Sequence, residues 1–328
     1  MKILVTGATG FIGSNLVRKL ALNNQNEILA IDSMNSSYGT KINELRLKWI
    51  LEYPNIVFKK LDLSQLFLKK EISQKKIDII VHLAAWPGVR QSEINKTEYY
   101  RNNINAFGNI LDLVTIFKPD KFFFASSSSI YGNKGNYGPV REEQADGLNL
   151  KSFYATTKWA NEVLASSFSK NLEIPFIALR FFTVFGSFGR PDMAYWKFCN
   201  KLLNNEVIDL YGIGGGERNF TGINNLVSIL EELITQVKFE NRFQALNVAH
   251  GDPLKTDKFL SLIADSLGIK MYSTNEIDRP LTDVEKTWAD LEKLNKLVSQ
   301  KPRMTIEEEI QTFCDWFKIS KFARNVNI

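Results

Sequence analysis

Tyr154, Lys158 and Ser127 are the side chains best suited to move a proton. Tyr154 and Lys158 are four residues apart in a predicted helix, Tyr154–Phe168, so they share one face. A tyrosine hydroxyl has an ordinary pKa of about 10, and a neighbouring ammonium favours the phenolate and lowers that pKa. Ser127, just past a predicted strand, is placed to hydrogen-bond a substrate hydroxyl that gives its proton to Tyr154. The three residues predict a site where Tyr154 takes the proton of a substrate hydroxyl while hydride leaves the carbon that carries this hydroxyl. The alternative is a surface helix, where a lone Tyr-x-x-x-Lys pair is also common.

A glycine turn near the start of the chain has the spacing of a dinucleotide site. Gly7, Gly10 and Gly13 lie between a predicted strand, Lys2–Thr6, and a predicted helix, Phe11–Leu22. In such turns the first glycine allows the tight bend, the second a close approach of pyrophosphate, and the third the packing of helix on strand. The first helical residues, here Phe11 and Ile12, direct their N–H groups at the phosphates. An ordinary strand–helix turn is the alternative interpretation.

Asp32 ends the second predicted strand, 32 − 13 = 19 residues after the last glycine. A carboxylate at this spacing accepts hydrogen bonds from the adenosine ribose and repels a 2′-phosphate, so NAD is favoured over NADP. A helix or turn cap is the alternative role for Asp32. Asp62 and Leu63 are predicted to meet the adenine, and the small side chains after the fourth strand let the cofactor pass. The complete set of further predicted cofactor contacts is Asp62, Leu63, Leu83, Ala84, Ala85, Ser126, Tyr154 and Lys158.

Short apolar runs alternate with amphipathic stretches through the first half of the chain, which is typical of a parallel sheet covered by helices. The predicted fold is α/β: a Rossmann-like, doubly wound parallel sheet with a smaller, interleaved C-terminal substrate lobe. Residues 1–180, with about 217–250, form the predicted dinucleotide-binding domain, and 181–216 with 251–328 form the lobe. The predicted strands are Lys2–Thr6, Glu27–Ile31, Ile56–Lys59, Ile77–His82, Lys121–Ala125 and Phe176–Arg180.

The second half of the chain is less regular. Asn219–Thr235 and Ala245–Val248 are predicted to return to the large sheet, so the two lobes interleave. A long amphipathic helix is predicted at Tyr99–Phe117. Thr305–Phe317 is predicted to be an amphipathic helix covering the smaller lobe, with acidic residues in its first turn as the helix dipole prefers.

Composition excludes several classes of protein. The 328 residues are 44% apolar and 23% charged, which is unlike a disordered chain or a fibre. No apolar run reaches the length of a membrane span, and the net charge of +5 is spread along the chain, so neither a membrane nor a nucleic acid is a predicted partner. Cys199 and Cys314 lack metal spacing, and His82 and His250 are interpreted as structural, so no metal is predicted. A reduced, cytoplasmic location is expected.

The sequence resembles the extended short-chain dehydrogenase/reductase family and, within it, the UDP-glucuronate 4-epimerases. The resemblance runs in order from residue 1 to about residue 290. The segments that carry it are VTGATGFIGSNL from Val5, HLAAWPGVRQS from His82, ASSSSIYG from Ala125, YATTKWANE from Tyr154, RFFTVFGSFGRPDMA from Arg180, ERNFTGINN from Glu217 and TWAD from Thr287.

This resemblance implies an isomerase that holds NAD as a recycled cofactor and acts on a UDP-sugar. Tyr154 would take the proton of the 4-hydroxyl, a 4-keto sugar would form and turn over, and hydride would return to its other face. The resemblance also implies a homodimer paired through the helices near Tyr99–Phe117 and Tyr154–Phe168. Three alternatives stay open: an epimerase of neutral or N-acetylated UDP-hexoses, a UDP-glucuronate decarboxylase, and a non-catalytic nucleotide sensor.

The substrate residues follow from the resemblance alone. Ser128, Ser129, Thr183 and Arg190 match positions where similar epimerases hold a sugar carboxylate, and Arg190 supplies a planar fork suited to one. Ser128 and Ser129 also stand where sugar dehydratases resemble one another in an Asp-Glu pair, which disfavours dehydration. The resemblance places Arg218 at the substrate diphosphate, with Lys197 and Asp283 toward the nucleotide. The chain departs from the family near that diphosphate, where acidic or aromatic residues are replaced by Asn219, Gly222, Asn224 and Asn225.

Overall fold

A seven-stranded parallel sheet forms the centre of the fold in a computed structural model that describes residues 1–35, 38–65, 71–72, 76–299, 304–320 and 323. Most of its strands are buried apolar runs, as expected for a sheet covered on both faces, and the edge strand Ile56–Lys60 is the most exposed. The strands are β1 (Lys2–Thr6), β2 (Glu27–Asp32), β3 (Ile56–Lys60), β4 (Ile79–His82), β5 (Lys121–Ser127), β6 (Phe176–Phe181) and β11 (Phe243–Val248).

The spatial order of this sheet is β3-β2-β1-β4-β5-β6-β11, and each neighbouring pair is parallel. The order reverses between β1 and β4, and ligands of doubly wound sheets bind in the crevice beyond the carboxyl ends of the strands at such a reversal. The predicted fold class and the return of Ala245–Val248 to the large sheet are therefore confirmed.

Smaller strand pairs surround this sheet. Asn219–Thr235 was predicted to return to the large sheet, and this is wrong for its first residues, because the strand Phe220–Gly222 pairs with the strand Thr183–Phe185 instead. The remaining strands are β7 (Thr183–Phe185), β8 (Ile208–Tyr211), β9 (Glu217–Arg218), β10 (Phe220–Gly222), β12 (Leu254–Lys255) and β13 (Thr274–Ile277).

Helices cover both faces of the sheet and complete the smaller lobe. The predicted helix Tyr99–Phe117 is divided: a π-helical turn, Tyr100–Asn105, separates two α-helical parts. Among the described residues, no helix is both long enough and apolar enough to cross a bilayer. The α-helices are α1 (Phe11–Ala21), α2 (Lys41–Ile50), α3 (Val89–Ile94), α4 (Lys96–Tyr99), α5 (Ala106–Phe117), α6 (Phe153–Ser169), α7 (Ala194–Leu203), α8 (Ile223–Thr235), α9 (Thr256–Leu267), α10 (Glu292–Leu297) and α11 (Ile306–Ile319).

Three large apolar clusters and one small one, among the described residues, hold these elements together. Ile3 and Val5 of β1 belong to one cluster and Leu4 to another, because successive strand side chains point to opposite faces of the sheet. A third cluster lies in the second half of the chain and includes Trp196 of α7 and Phe313 of α11. The helix predicted to cover the smaller lobe is therefore confirmed as α11. The exact division into 1–180 with 217–250 and 181–216 with 251–328 stays a prediction.

Candidate active site

One cavity of about 1180 Å³ lies at the carboxyl ends of the central strands and continues into the smaller lobe. Its wall is built from both halves of the chain, from Gly7 to Thr287. Every residue that the sequence predicted for catalysis, cofactor binding or substrate binding lies on this wall. The fold therefore brings together residues that are up to 276 positions apart, as for Gly7 and Asp283.

The glycine turn is packed so closely that side chains are excluded. Gly7 has a φ of 68°, and a Cβ there would lie 2.6 Å from the backbone nitrogen of Ala84 on the neighbouring strand end. A Cβ on Gly13 would lie 2.0 Å from the carbonyl oxygen of Gly7, so glycine lets α1 pack against the turn. The first turn of α1 contains no acidic residue, so its positive dipole end is not neutralised. This cradle fits a dinucleotide pyrophosphate.

Asp32 performs the predicted alternative role of a turn cap, and it also lines the cavity. Its carboxylate accepts the N–H of Thr9 (2.9 Å) and the N–H of Met34 (2.8 Å). Burial raises the pKa of Asp32, while these hydrogen bonds and the charge of Arg46 oppose the rise. Each carboxylate oxygen can accept more than one hydrogen bond, so capping leaves capacity for a ribose.

Ser127, Tyr154 and Lys158 meet at the carboxyl end of β5. Ser152 caps α6 by accepting the N–H of Ala155 (3.1 Å), which places Tyr154 in the first turn of that helix. The Ser127 side chain lies close enough to the Tyr154 phenol to lower its pKa. Lys158 Nζ lies 5.8 Å from the centroid of the Tyr154 ring and donates to the carbonyl oxygen of Ala125 (2.9 Å). The predicted trio is therefore assembled in the cavity.

The predicted lowering of the Tyr154 pKa by its lysine neighbour is wrong for the protein chain alone. Burial raises the pKa of Tyr154, and the neighbouring Ser127 hydroxyl and the charge of Arg190 only partly oppose this. Burial also lowers the pKa of Lys158 to about 8. The cost of removing charge from water is larger here than the stabilisation from neighbouring groups.

His82 lies on the strand next to this trio, and its predicted structural role is confirmed. Its Nδ1 lies 2.8 Å from Thr6 Oγ1 across the β1–β4 pair. Burial and the charge of Lys158 lower the pKa of His82 to about 3. The ring is therefore neutral at ordinary pH.

Comparison with known proteins supplies the family. Residues 3–249 match the family described as NAD dependent epimerase/dehydratase. The chain belongs to this family. It is 37% identical over 321 residues to an uncharacterized protein of Methanocaldococcus jannaschii (97% of each chain), and 31% identical over 317 residues to the UDP-glucuronate 4-epimerase of Thermodesulfobacterium geofontis (96% of this chain, 95% of that one). The crystal structure of UDP-glucuronic acid 4-epimerase from Bacillus cereus in complex with UDP-glucuronic acid and NAD superposes with a TM-score of 0.90 at 29% identity, covering 97% of this chain and 99% of that chain.

Arg190, which was predicted to hold a sugar carboxylate, lines this cavity and is largely buried. Its Nε and Nη2 donate to Asp192 (3.0 and 2.5 Å), and its backbone N–H donates to the hydroxyl of Tyr195 (2.8 Å). The guanidinium lies 5.6 Å from the centroid of the Tyr38 ring. Arg190 is therefore an oriented cation inside the cavity, and the alternative of a solvated surface arginine is excluded.

Arg218 and Asp283, which were predicted separately, form an ion pair with each other (2.9 Å). Arg218 also donates to the carbonyl oxygens of Val284 (2.7 Å) and Glu285 (2.8 Å), so it holds the segment that carries Asp283. Lys197 lies exposed at the rim of the cavity. At the predicted nucleotide end, Arg218 and Asp283 are thus one ion pair rather than two independent contacts.

Sequence reasoning missed Arg90, which lines the same end of the cavity. Its guanidinium lies 4.3 Å from the ring centroid of Tyr211 and donates to that hydroxyl (2.9 Å), and it lies 3.9 Å from Asp283. The signal was present in HLAAWPGVRQS, where the arginine follows the fourth strand by eight residues. A charge in an apolar loop at the carboxyl end of a parallel strand is a reason to test it as a ligand contact.

The sequence analysis placed the four residues that depart from the family pattern between positions 219 and 225 near the substrate diphosphate. The structure places them elsewhere. None of Asn219, Gly222, Asn224 and Asn225 is among the described residues that line the cavity. Glu309 of α11 accepts the backbone N–H of Asn225 (2.8 Å) and the side-chain amide of Asn224 (2.9 Å) at the start of α8. A Cβ on Gly222 would lie 2.1 Å from the carboxyl carbon of Glu309. Gly222, Asn224 and Asn225 therefore accommodate a buried acid of the C-terminal helix, whereas Asn219 donates to the carbonyl oxygens of His250 (3.2 Å) and Gly251 (2.7 Å).

Proposed function

We propose that this chain catalyses the NAD-dependent 4-epimerisation of a UDP-sugar and that its substrate pair is UDP-glucuronate and UDP-galacturonate. One observation supports the proposal most strongly: Ser127, Tyr154, Lys158 and Arg190 share a cavity with the glycine turn. The named epimerases among the relatives support the choice of reaction and sugar.

The dinucleotide end would hold NAD through a cradle of backbone and small side chains. NAD, when bound, accepts hydride from C4 of the sugar and returns it. Residues 1–180 with about 217–250 form the proposed NAD-binding domain. Ser126 contributes backbone only, because its hydroxyl donates to the buried carboxylate of Glu162 (2.5 Å). The proposed contacts are Gly7, Gly10, Phe11, Ile12, Gly13, Asp32, Asp62, Leu63, Leu83, Ala84, Ala85, Ser126, Tyr154 and Lys158.

Tyr154 would take the proton of the 4-hydroxyl and later return it. Burial alone keeps this phenol protonated, so an added positive charge is needed to make it a base at neutral pH. Lys158 and an oxidised nicotinamide are the cations that this site would place beside it. Ser127, which lies beside Tyr154 and accepts a hydrogen bond from the Ser129 hydroxyl (2.9 Å), would orient the sugar hydroxyl for the transfer.

Arg190 would hold the sugar carboxylate together with Ser128, Ser129 and Thr183. A 4-keto uronate is a β-keto acid that can lose carbon dioxide, so an epimerase must keep its carboxylate away from the geometry of that loss. Asp192 uses Nε and Nη2 of Arg190, which leaves Nη1 for a substrate carboxylate. Arg218, with Lys197, Asp283 and the additional Arg90, would bind the diphosphate and nucleotide.

An epimerase of neutral UDP-hexoses is the second candidate, and the Arg190–Asp192 pair favours it. A guanidinium that already has a carboxylate partner attracts a second carboxylate less strongly. The two candidates differ in what Arg190 does, so an Arg190 variant separates them.

The test is to incubate purified protein, without added cofactor, with UDP-glucuronate, UDP-glucose or UDP-N-acetylglucosamine. We expect UDP-galacturonate by chromatography, and a loss of about 10- to 100-fold in kcat/KM for the uronate alone in Arg190→Met. Turnover of UDP-glucose that Arg190→Met leaves unchanged, with no turnover of the uronate, would instead establish the second candidate. Release of carbon dioxide with a UDP-pentose as the main product would establish a decarboxylase.

A cytoplasmic homodimer is the proposed state of the enzyme. Exposed apolar side chains on the helices flanking the site support pairing: Ile94, Tyr100 and Val163 are 76%, 55% and 53% exposed. Cys199 and Cys314 are both buried free thiols, which supports a reducing compartment. Light scattering that gives the mass of one chain would overturn the dimer.

A further inference from the structure

Arg46 is a fully buried cation that the proposed chemistry does not use. Its side chain projects from α2 and has 0% exposed surface. Arg46 forms none of the ion pairs found among the residues that the structure describes. A buried guanidinium without a carboxylate partner is costly unless its N–H groups are hydrogen-bonded, so its partners show what it is retained for.

Its partners are mainly backbone carbonyl oxygens from two distant segments. Nη1 donates to Thr9 (3.2 Å), which lies inside the glycine turn between Gly7 and Gly10. Nε and Nη2 donate to Phe188 (2.9 and 2.7 Å), and Nη2 also donates to Gly189 (2.7 Å). Gly189 directly precedes Arg190. One side chain therefore joins the dinucleotide turn to the loop that carries the predicted carboxylate-binding arginine.

That loop has a backbone conformation that requires support. Phe188 has a φ of 58°, a left-handed conformation that residues with a side chain seldom adopt. Trp49, also on α2, stacks on the Phe188 ring with centroids 4.0 Å apart and planes 16° apart. The carbonyl contacts of Arg46 and the stacking of Trp49 thus hold the same strained residue from the same helix.

Tyr38 completes the link. Its hydroxyl accepts a hydrogen bond from Arg46 (3.3 Å), and the guanidinium of Arg190 lies 5.6 Å from the centroid of its ring. Arg46 therefore reaches Arg190 by two routes, through the backbone of Phe188 and Gly189 and through the Tyr38 side chain.

We propose that Arg46 is a positioning residue that keeps Arg190 in register with the dinucleotide turn, so that the sugar carboxylate is held while C4 faces the nicotinamide. This inference rests on the proposed function, because it assumes a sugar read by Arg190. Arg46 acts through the loop and not on the substrate. A planar guanidinium bonds both segments at once, whereas a lysine ammonium is a point donor that cannot span them in the same geometry.

The experiment compares Arg46→Lys and Arg46→Met with wild type and with Arg242→Met. Arg242 is the control, because it also donates to a backbone carbonyl, that of Lys170 (2.8 Å), but lies outside the cavity wall and touches none of the segments that Arg46 joins. For each protein, the bound NAD, the thermal midpoint, the affinity for UDP and for UDP-glucuronate, and kcat/KM are measured. UDP lacks the sugar, so it reports only on the nucleotide end of the site.

We expect both Arg46 variants to lose about 10- to 100-fold in kcat/KM, the size of effect that a displacement of about 1 Å produces. Affinity for UDP-glucuronate should fall while affinity for UDP and the bound NAD change less than about twofold. Arg242→Met should keep the affinities and kcat/KM of the wild type. If Arg46→Met does not fold, Arg46→Lys gives the answer alone.

Two results would overturn the inference while leaving the proposed function intact: an Arg46→Lys enzyme with wild-type kcat/KM, or equal weakening of UDP and UDP-glucuronate in an active enzyme. UDP-glucose could also prove to be the substrate. In that case, a loss of kcat/KM for UDP-glucose in the Arg46 variants but not in Arg190→Met would also overturn the inference. A wild-type protein with no epimerase activity on any of the three sugars removes the proposed function and this inference with it.

Discussion

Arg190 and Asp192 form a two-point ion pair inside the cavity, with Nε–Oδ1 at 3.0 Å and Nη2–Oδ2 at 2.5 Å. The positive charge of Arg190 holds the pKa of Asp192 below its ordinary value, so the aspartate is ionised at neutral pH. The cation proposed to read a sugar carboxylate therefore already has one carboxylate partner. Substrate binding becomes a competition between two anions for one guanidinium.

Removing this competitor should strengthen uronate binding. We expect Asp192→Asn to lower the KM for UDP-glucuronate by up to about tenfold, because the full charge of Arg190 then faces the substrate. The KM for UDP-glucose should stay within about twofold. Asp146→Asn, which breaks the pair with Lys134 outside the cavity, is the control. A higher KM for the uronate in Asp192→Asn would show that Asp192 mainly orients Arg190.

Removing the Tyr154 hydroxyl should stop proton transfer without releasing the bound NAD. We expect Tyr154→Phe to lower kcat by about 10²- to 10⁴-fold, the usual contribution of a general base, with the content of bound NAD unchanged. Single-turnover assays with UDP-glucuronate measure this. Tyr131→Phe is the control, because that buried hydroxyl donates to Asn247 (2.6 Å) away from the cavity and should affect stability rather than kcat. Undiminished turnover in Tyr154→Phe would contradict the proposed base.

His82 should make the protein sensitive to mild acid. Its pKa is about 3 in the folded chain and about 6.5 when unfolded, so the unfolded state takes up the proton first as pH falls. Stability is therefore lost from pH 6.5 downward, by about 2 kcal/mol between pH 7 and pH 5. Urea unfolding of wild type and His82→Asn at both pH values measures the difference. An equal loss in the two proteins would assign the acid sensitivity to other groups.

A methyl group at position 222 should destabilise the fold. We expect Gly222→Ala to cost about 1–3 kcal/mol, because its Cβ would lie 2.1 Å from the Glu309 carboxyl carbon in a packed region. Gly108→Ala is the control, since no atom lies within 4 Å of that Cβ and a helical alanine should add about 0.5–1 kcal/mol. Urea midpoints test both variants. Equal stability of wild type and Gly222→Ala would show that α11 shifts easily.

The dinucleotide half of the site could be predicted because its signals are local. The Gly7 turn, the spacing to Asp32 and the Tyr154–Lys158 pair each lie within a few residues or one strand–helix unit. Parallel strands then bring their carboxyl ends to one edge, so placing Ser127 near Tyr154 requires no knowledge of side-chain packing.

The rest of the site depends on contacts between segments that are far apart in the chain, and the spacing of residues along the sequence does not reveal such contacts. Arg46 contacts carbonyl oxygens 142 and 143 positions away, and Arg90 meets Tyr211 across 121 positions. The direction of the Tyr154 pKa was misjudged for a related reason: the sequence shows the nearby charge of Lys158 but not the depth of burial, and burial is the larger effect.

The contact between Gly222 and Glu309 also constrains how this sequence can diverge. Position 222 has no space for an aromatic side chain while an acid as long as glutamate occupies position 309. A descendant with an aromatic residue at position 222 must therefore first acquire a shorter side chain at position 309. Two sites 87 residues apart are thus expected to change in pairs, and an alignment of near relatives should show that covariation.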